Sequence, residues 1–252
     1  MALSQFNLAW KLSLVYKGLA SPSILDTYTT ERAPIIAEML GRTTAILNQT
    51  IRKESDPAVH GMRPKILHQL GVNCRWSPIV VDEQPAAQAA KTAGAYLAED
   101  PTVLYAGDRA PEAPGLIIVN VPEGNTSLFD IFGPAHHTPL VFATDTNVAE
   151  HILHELHRYP EGSMKKIVIL PRGAAHTSVS GADLTLIDKE GHAYEAYPPA
   201  GEGYHAIVVR PDGVIGAVVR SAAGVKRYFD GIFGHSMLVA CALYPKLQSV
   251  KT

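Results

Sequence analysis

The sequence has few of the features that reveal a chemistry on sight. Its two cysteines, Cys74 and Cys241, stand far apart and form no CxxC pair. That excludes disulfide exchange and leaves a structural zinc site or disulfide framework unsupported, so two ordinary thiols in a reducing compartment are expected. No GxGxxG run follows a candidate strand anywhere in the 252 residues, so the glycine turn that cradles a dinucleotide pyrophosphate is absent. Neither sign of charge is in excess. Lys and Arg number 22 against 24 Asp and Glu, a formal net charge of -2, and the cations are scattered, which argues against nucleic acid or an acidic membrane as partner. No uninterrupted apolar run reaches the ~20 residues of a membrane-crossing helix. Asn7, Trp10 and Lys11 interrupt the amino-terminal apolar stretch, so no secretion signal is read there and the expected compartment is the cytoplasm.

What is present begins with helical patterning. Residues 4–17 carry Leu8, Leu12 and Val15 on one face and Trp10 and Leu14 on another, so this helix is apolar over most of its circumference and must be covered. Ser21 and Pro22 break it. From Pro34 to Lys53, apolar positions from Ile35 to Ile51 recur at helical spacing while Glu38, Arg42, Gln49 and Arg52 fall largely elsewhere, which predicts an amphipathic helix of about five turns. Basic residues are few, so antiparallel packing on the first helix is preferred over a membrane-lying helix. Residues 54–84 read as a Pro-punctuated connector with a strand near Trp76 to Val81, and the Ala-rich run from Gln84 to Glu99 as a short helix or a linker.

From Leu104 the pattern alternates. A strand near Leu140 to Ala143, a helix near Val148 to Tyr159 and a strand near Lys166 to Leu170 are followed by YHAIVVRPDGVIGAVV, whose Asp212-Gly213 pair between β-branched flanks predicts a hairpin. A closing helix runs from Ala222 to Phe233 or beyond. This order predicts an α/β fold, a thioredoxin-like mixed sheet flanked by helices, preceded by an amino-terminal helical hairpin. The expected divisions are 1–55 for the hairpin, 56–103 for the connector and 104–252 for the α/β domain.

Histidine is plentiful, with 11 in the chain. His151, His154 and His157 lie opposite the Val148, Ile152, Leu156 stripe and lack HExxH spacing, so they are read as a solvated face and no metal is expected. His136 and His137 follow the Gly133-Pro134 turn and precede a buried strand, where an imidazole titrating near neutrality can serve as acid or base; the plain alternative is a hydrogen bond to a loop carbonyl. Asp108 with Arg109, and Arg210 with Asp212, are read as ion pairs fixing tight turns. His192, Tyr194 and Tyr197 in GHAYEAYPP, with Tyr204 and His205, are read as packing or rim residues on strands.

Several stretches together resemble a known family. SQFNLAWKLSLVYKGLASPSILDTYTTERAP at residues 4–34, LGVNCRWSPIVVDE, YAGDRAPEAPGL at 105–116, SLFDIFGPAHHTPLVFA at 127–143 and VRPDG look like the carboxy-terminal part of FAD-dependent aromatic hydroxylases of the phenol 2-monooxygenase type. The resemblance implies the end of a flavin domain followed by a thioredoxin-like domain associated with dimer contacts, hence a homodimer. In that family the residues just upstream of NLAWKL form a Gly-rich loop and helix start against the flavin. Met1 stands only a few residues before Phe6, so no such loop is expected, and no cofactor.

The expectation that follows is a flavin-independent enzyme moving protons on a phenolic or aromatic polyketide-like compound in secondary metabolism: cyclisation of a phenol oxygen onto an alkene, isomerisation or dehydration. His137 and His136 are its candidate catalytic residues, and Trp10, Tyr16 and Trp76 its candidate substrate-binding residues. The alternative is a non-catalytic dimerisation or auxiliary module partnering a monooxygenase.

Overall fold

The structure, a computed structural model, describes residues 2–52, 71–91, 94–96, 103–122, 124–144, 146–198 and 205–243. Tyr204, much of the expected connector and the side chains of His205 and Cys241 lie outside the described residues.

Helix α1 spans Ala2–Tyr16 and α2 spans Asp26–Arg52, joined through a 3-10 turn at Pro22–Leu25. The second helix thus starts well before Pro34, where the apolar spacing begins. Local capping explains the early start. Ser21 caps the 3-10 turn by accepting from the Ser23 amide at 3.3 Å, and the Thr27 hydroxyl donates to the Ile24 carbonyl at 2.6 Å, so the turn runs straight into α2. Pro34 then sits inside the helix, where it has no N–H to give the carbonyl four residues back. That carbonyl belongs to Thr30, and the Trp76 indole donates to it at 2.9 Å. Trp76 therefore repairs the gap the proline leaves.

The chain then builds one sheet of eight strands among the described residues: β1 (Val81–Asp82), β2 (Leu116–Ile118), β3 (Asn125–Thr126), β4 (Thr138–Phe142), β5 (Ile167–Leu170), β6 (Leu184–Asp188), β7 (His205–Val209) and β8 (Ile215–Val219). Their order is β1-β8-β7-β4-β5-β6-β2-β3. The central β4, β5 and β6 are parallel, while β7 runs antiparallel to both β4 and β8 and β2 antiparallel to β6. Strands β4 and β5 are buried along their whole length, the state of central parallel strands covered on both faces, and that is why they read as continuous apolar runs.

Alternation along the strands sorts the core into two layers. Val141, Val168 and Leu170 face a layer made with α5 (Thr146–Leu156), α7 (Ala222–Leu243) and the Trp10 and Leu14 side of α1. Leu140, Phe142, Ile167 and Ile169 face the other layer, with α4 (Leu128–Ile131), α6 (His192–Ala196) and the turn around Ala106 and Ala110. The expected mixed sheet with flanking helices and preceding amino-terminal helices is present. Part of the connector is sewn into it: β1 pairs with β8 in parallel, and α3 (Ala87–Ala90) follows directly.

The strand expected in GHAYEAYPP is instead the short helix α6. Asp188 overrides the alternation, since its carboxylate accepts from the Gly191 amide and the Tyr194 amide, each at 2.9 Å, which closes the turn and starts a helix. Tyr194 and Tyr197 nonetheless pack inward, against Phe142. His151 and His154 of α5 and His157 just past its end are all exposed, while Ile152, Leu153 and Leu156 are buried. No group able to hold a metal occurs among the described residues. No helix among them is long and apolar enough to cross a membrane.

Candidate functional site

The most unusual feature is a charged knot in the interior. Asn7 and Lys11 lie one helical turn apart on α1, so they point the same way. Glu31 comes from the first turns of α2, Ser77 from the connector, and Arg210 and Asp212 from the end of β7 and the following turn. All six are buried, and the side chains of Lys11, Glu31 and Arg210 have no exposure at all. Glu31 accepts from Lys11 Nζ at 2.9 Å, from Arg210 Nη1 at 2.9 Å and Nη2 at 3.0 Å, from Asn7 Nδ2 at 2.6 Å and from Ser77 Oγ at 2.6 Å. Asp212 takes the other side of the same guanidinium, accepting from Arg210 Nε at 3.0 Å, and also accepts from Asn7 Nδ2 at 2.8 Å and Trp10 Nε1 at 3.3 Å. The Arg210 guanidinium also lies 5.2 Å from the Trp10 ring centre.

Two cations and two anions cancel, which is the condition for burying charge at tolerable cost: each ion alone loses several kcal/mol of hydration. Burial by itself would raise the Glu31 carboxyl, but the Arg210 guanidinium and its hydrogen bonds, with Lys11 and Ser77, outweigh it and hold the group far below the usual carboxylate range. Lys11 is pulled down by burial and by Arg210, against the opposing pull of Glu31.

A second buried pair supports the first. Arg75 grips Asp108 bidentately, Nε to Oδ1 at 2.6 Å and Nη2 to Oδ2 at 2.8 Å. The cation that pairs with Asp108 is thus Arg75, not the adjacent Arg109 expected from sequence. The turn at 106–110 is stitched to the β7–β8 hairpin by backbone bonds from Gly107 to Ile215, from Ile215 to Asp108 and from Ala110 to Gly213. Gly107 is required there: its φ is +100°, and a Cβ would come within 2.5 Å of the Arg75 backbone.

The candidate catalytic and substrate residues do not assemble into a pocket. His137 is 1 % exposed, its ring enclosed by Trp10, Phe229, Tyr228 and Phe233 at centroid distances of 5.3, 5.7, 6.0 and 6.1 Å. Burial, reinforced by Arg210, pushes its pKa down to about 3, so it is neutral at neutral pH, and its Nε2 has no partner among the described residues. His136 is partly buried and lowered by burial and Lys165. Trp10 is committed to Asp212 and the core, Trp76 to the Thr30 carbonyl, and Tyr16 is 93 % exposed. Of these residues Trp10 and His137 meet, edge to face in a buried aromatic cluster. Sequence reasoning missed Asn7, Lys11, Glu31 and Ser77. The available signal was a lysine and an asparagine at i, i+4 spacing around a tryptophan in a largely apolar helix.

Next to the knot a small cleft, with room for about one water molecule, lies between α2, residues 72–74 and the 107–109 turn. Asn7, Glu31 and Asp212 of the knot line it together with Ile35, Val72, Val214, Arg32 and Arg109.

A family model described as an FAD binding domain matches residues 4–43, which cover α1 and the first part of α2. The chain is 30 % identical over 143 residues to a flavin-dependent monooxygenase of Mycobacteroides abscessus, a match covering 57 % of this chain and 24 % of that protein. It is 29 % identical over 224 residues to pentachlorophenol 4-monooxygenase of Sphingobium chlorophenolicum, covering 84 % of this chain and 37 % of that protein. The chain thus spans well under half the length of these curated relatives. Among solved structures, the flavin-dependent monooxygenase PieE, in complex with FAD and substrate, superposes over 91 % of this chain and 44 % of its own with a TM-score of 0.60 at 20 % identity, a likeness of fold.

These findings correct the expectation of flavin-independent proton-transfer chemistry: an FAD-binding domain model matches residues 4–43, and the similar proteins are monooxygenases, that of Mycobacteroides abscessus flavin-dependent. The described residues do not themselves fit a flavin. Asn7, Lys11 and Glu31, the buried polar side chains of α1 and the start of α2, are spent on the internal knot. The sequence also holds no GxGxxG cradle. What the matched helices do provide is a fixed attachment to the sheet, through five side chains drawn from both ends of the chain.

Proposed function

We propose that this chain works as part of a flavin-dependent monooxygenase acting on a small aromatic or phenolic compound. In this reading it contributes the closing helices of the flavin domain together with the α/β domain clamped to them. The observation that carries the reading is where the knot lies. Asn7, Lys11 and Glu31 fall inside the segment that matches an FAD-binding domain, and their partners Arg210 and Asp212 sit in the β7–β8 hairpin. The oxygen chemistry belongs to the flavin. This chain's task is positional: it holds the end of the flavin domain in one register against the sheet, because small misplacements far from a reacting centre are costly in rate.

On the same reading residues 104–252 form a thioredoxin-like dimerisation domain, 1–55 the end of the flavin domain and 56–103 the connector, and the working form is a homodimer. The exposed Phe6, Leu12 and Tyr16 of α1, and Ile36, Leu40 and Leu47 of α2, are the surface left for the remainder of a flavin domain.

The test is co-expression of this chain with the amino-terminal, flavin-binding portion of pentachlorophenol 4-monooxygenase. The expected product is a yellow complex that sediments with two copies of each part and oxidises reduced pyridine nucleotide faster when a chlorophenol is added. A chain that folds yet neither co-purifies with that portion nor yields flavin-containing material contradicts the proposal.

A further inference from the structure

We draw no further inference here: the strongest candidate, the uncharged outer face of α1 on which Phe6, Leu12 and Tyr16 stand exposed, belongs to the surface already assigned to the remainder of a flavin domain.

Discussion

Arg210→Met is expected to destabilise the protein by about 3–5 kcal/mol, a large share of the ~5–15 kcal/mol that holds an ordinary domain together. Methionine is shorter but close in volume and apolar, so the loss is not mainly one of packing. It comes from what remains behind: Glu31 and Asp212, both without exposure to speak of, would share the single cation Lys11. Trp10 would also lose the guanidinium now 5.2 Å from its ring centre. The decisive comparison is a double-mutant cycle. In Arg210→Met with Glu31→Met, one cation and one anion are removed together, leaving Lys11 and Asp212 in balance. The double variant should therefore be more stable than the sum of its singles implies, by about 1–3 kcal/mol. Urea unfolding with an unchanged slope measures this directly. Simple additivity would mean that Glu31 and Arg210 do not act as a unit. Arg158→Met is the control, since its pair with Glu155, three residues away, is exposed to solvent and is worth at most about 0.5 kcal/mol.

The second large effect is a loss of stability in mild acid that starts near neutrality. His137 titrates at its ordinary value of 6.5 in an unfolded chain, but burial and Arg210 push it down to about 3 in the folded one. Between those limits the unfolded chain holds a proton that the folded protein refuses, so acid favours unfolding. The stability is complete above pH 6.5 and drains away as pH falls toward about 3. The slope is about 1.4 kcal/mol per pH unit, one proton's worth. Glu31 adds to it only lower down: its folded value is depressed below the ordinary 4.5, so its contribution is whole above that pH and is lost below it.

Replacing His137 by phenylalanine separates the two contributions. The ring sits edge-on to Trp10, Tyr228, Phe229 and Phe233, and its Nε2 has no partner among the described residues, so an aromatic hydrocarbon suits that side of the place and gives up only the ring's hydrogen bond to the Ser163 backbone. The expected result is a decline from about pH 7.5 to about 5 that is much shallower in His137→Phe than in the parent protein, the remainder coming from His136, which burial and Lys165 also lower. Urea midpoints at a series of pH values check it. An unchanged decline in the variant would place the acid-sensitive group elsewhere.

Much of the fold could be read from local pattern, because sheet and helix periodicity are local properties. The Asp212-Gly213 hairpin, the α5 stripe and the buried β4 and β5 all followed from residues a few positions apart. The early start of α2 and the helix in place of a strand at His192–Ala196 were hidden, because each depends on a side chain that satisfies backbone: Ser21 and Thr27 in one case, Asp188 in the other. The knot was hidden for a different reason. Asn7 meets Asp212 across 205 positions and Glu31 meets Arg210 across 179, and no periodicity connects residues so far apart. Resemblance did mark the right stretches, since NLAWK, TER and VRPDG contain Asn7, Trp10, Lys11, Glu31, Arg210 and Asp212. The functional expectation went astray by weighting the missing glycine cradle over these stretches, although the matched helices need no cradle of their own to belong with a flavin domain.

Native-state hydrogen exchange tests most directly whether the helices that match an FAD-binding domain and the α/β domain are one unit held by the buried charges. The amides of α1 around Trp10 and Lys11 should exchange with the same opening free energy as those of β4 and β7, and in Arg210→Met they should become fast while β4 stays protected. Fast exchange of α1 in the unaltered protein, with β4 and β7 fully protected, would contradict it.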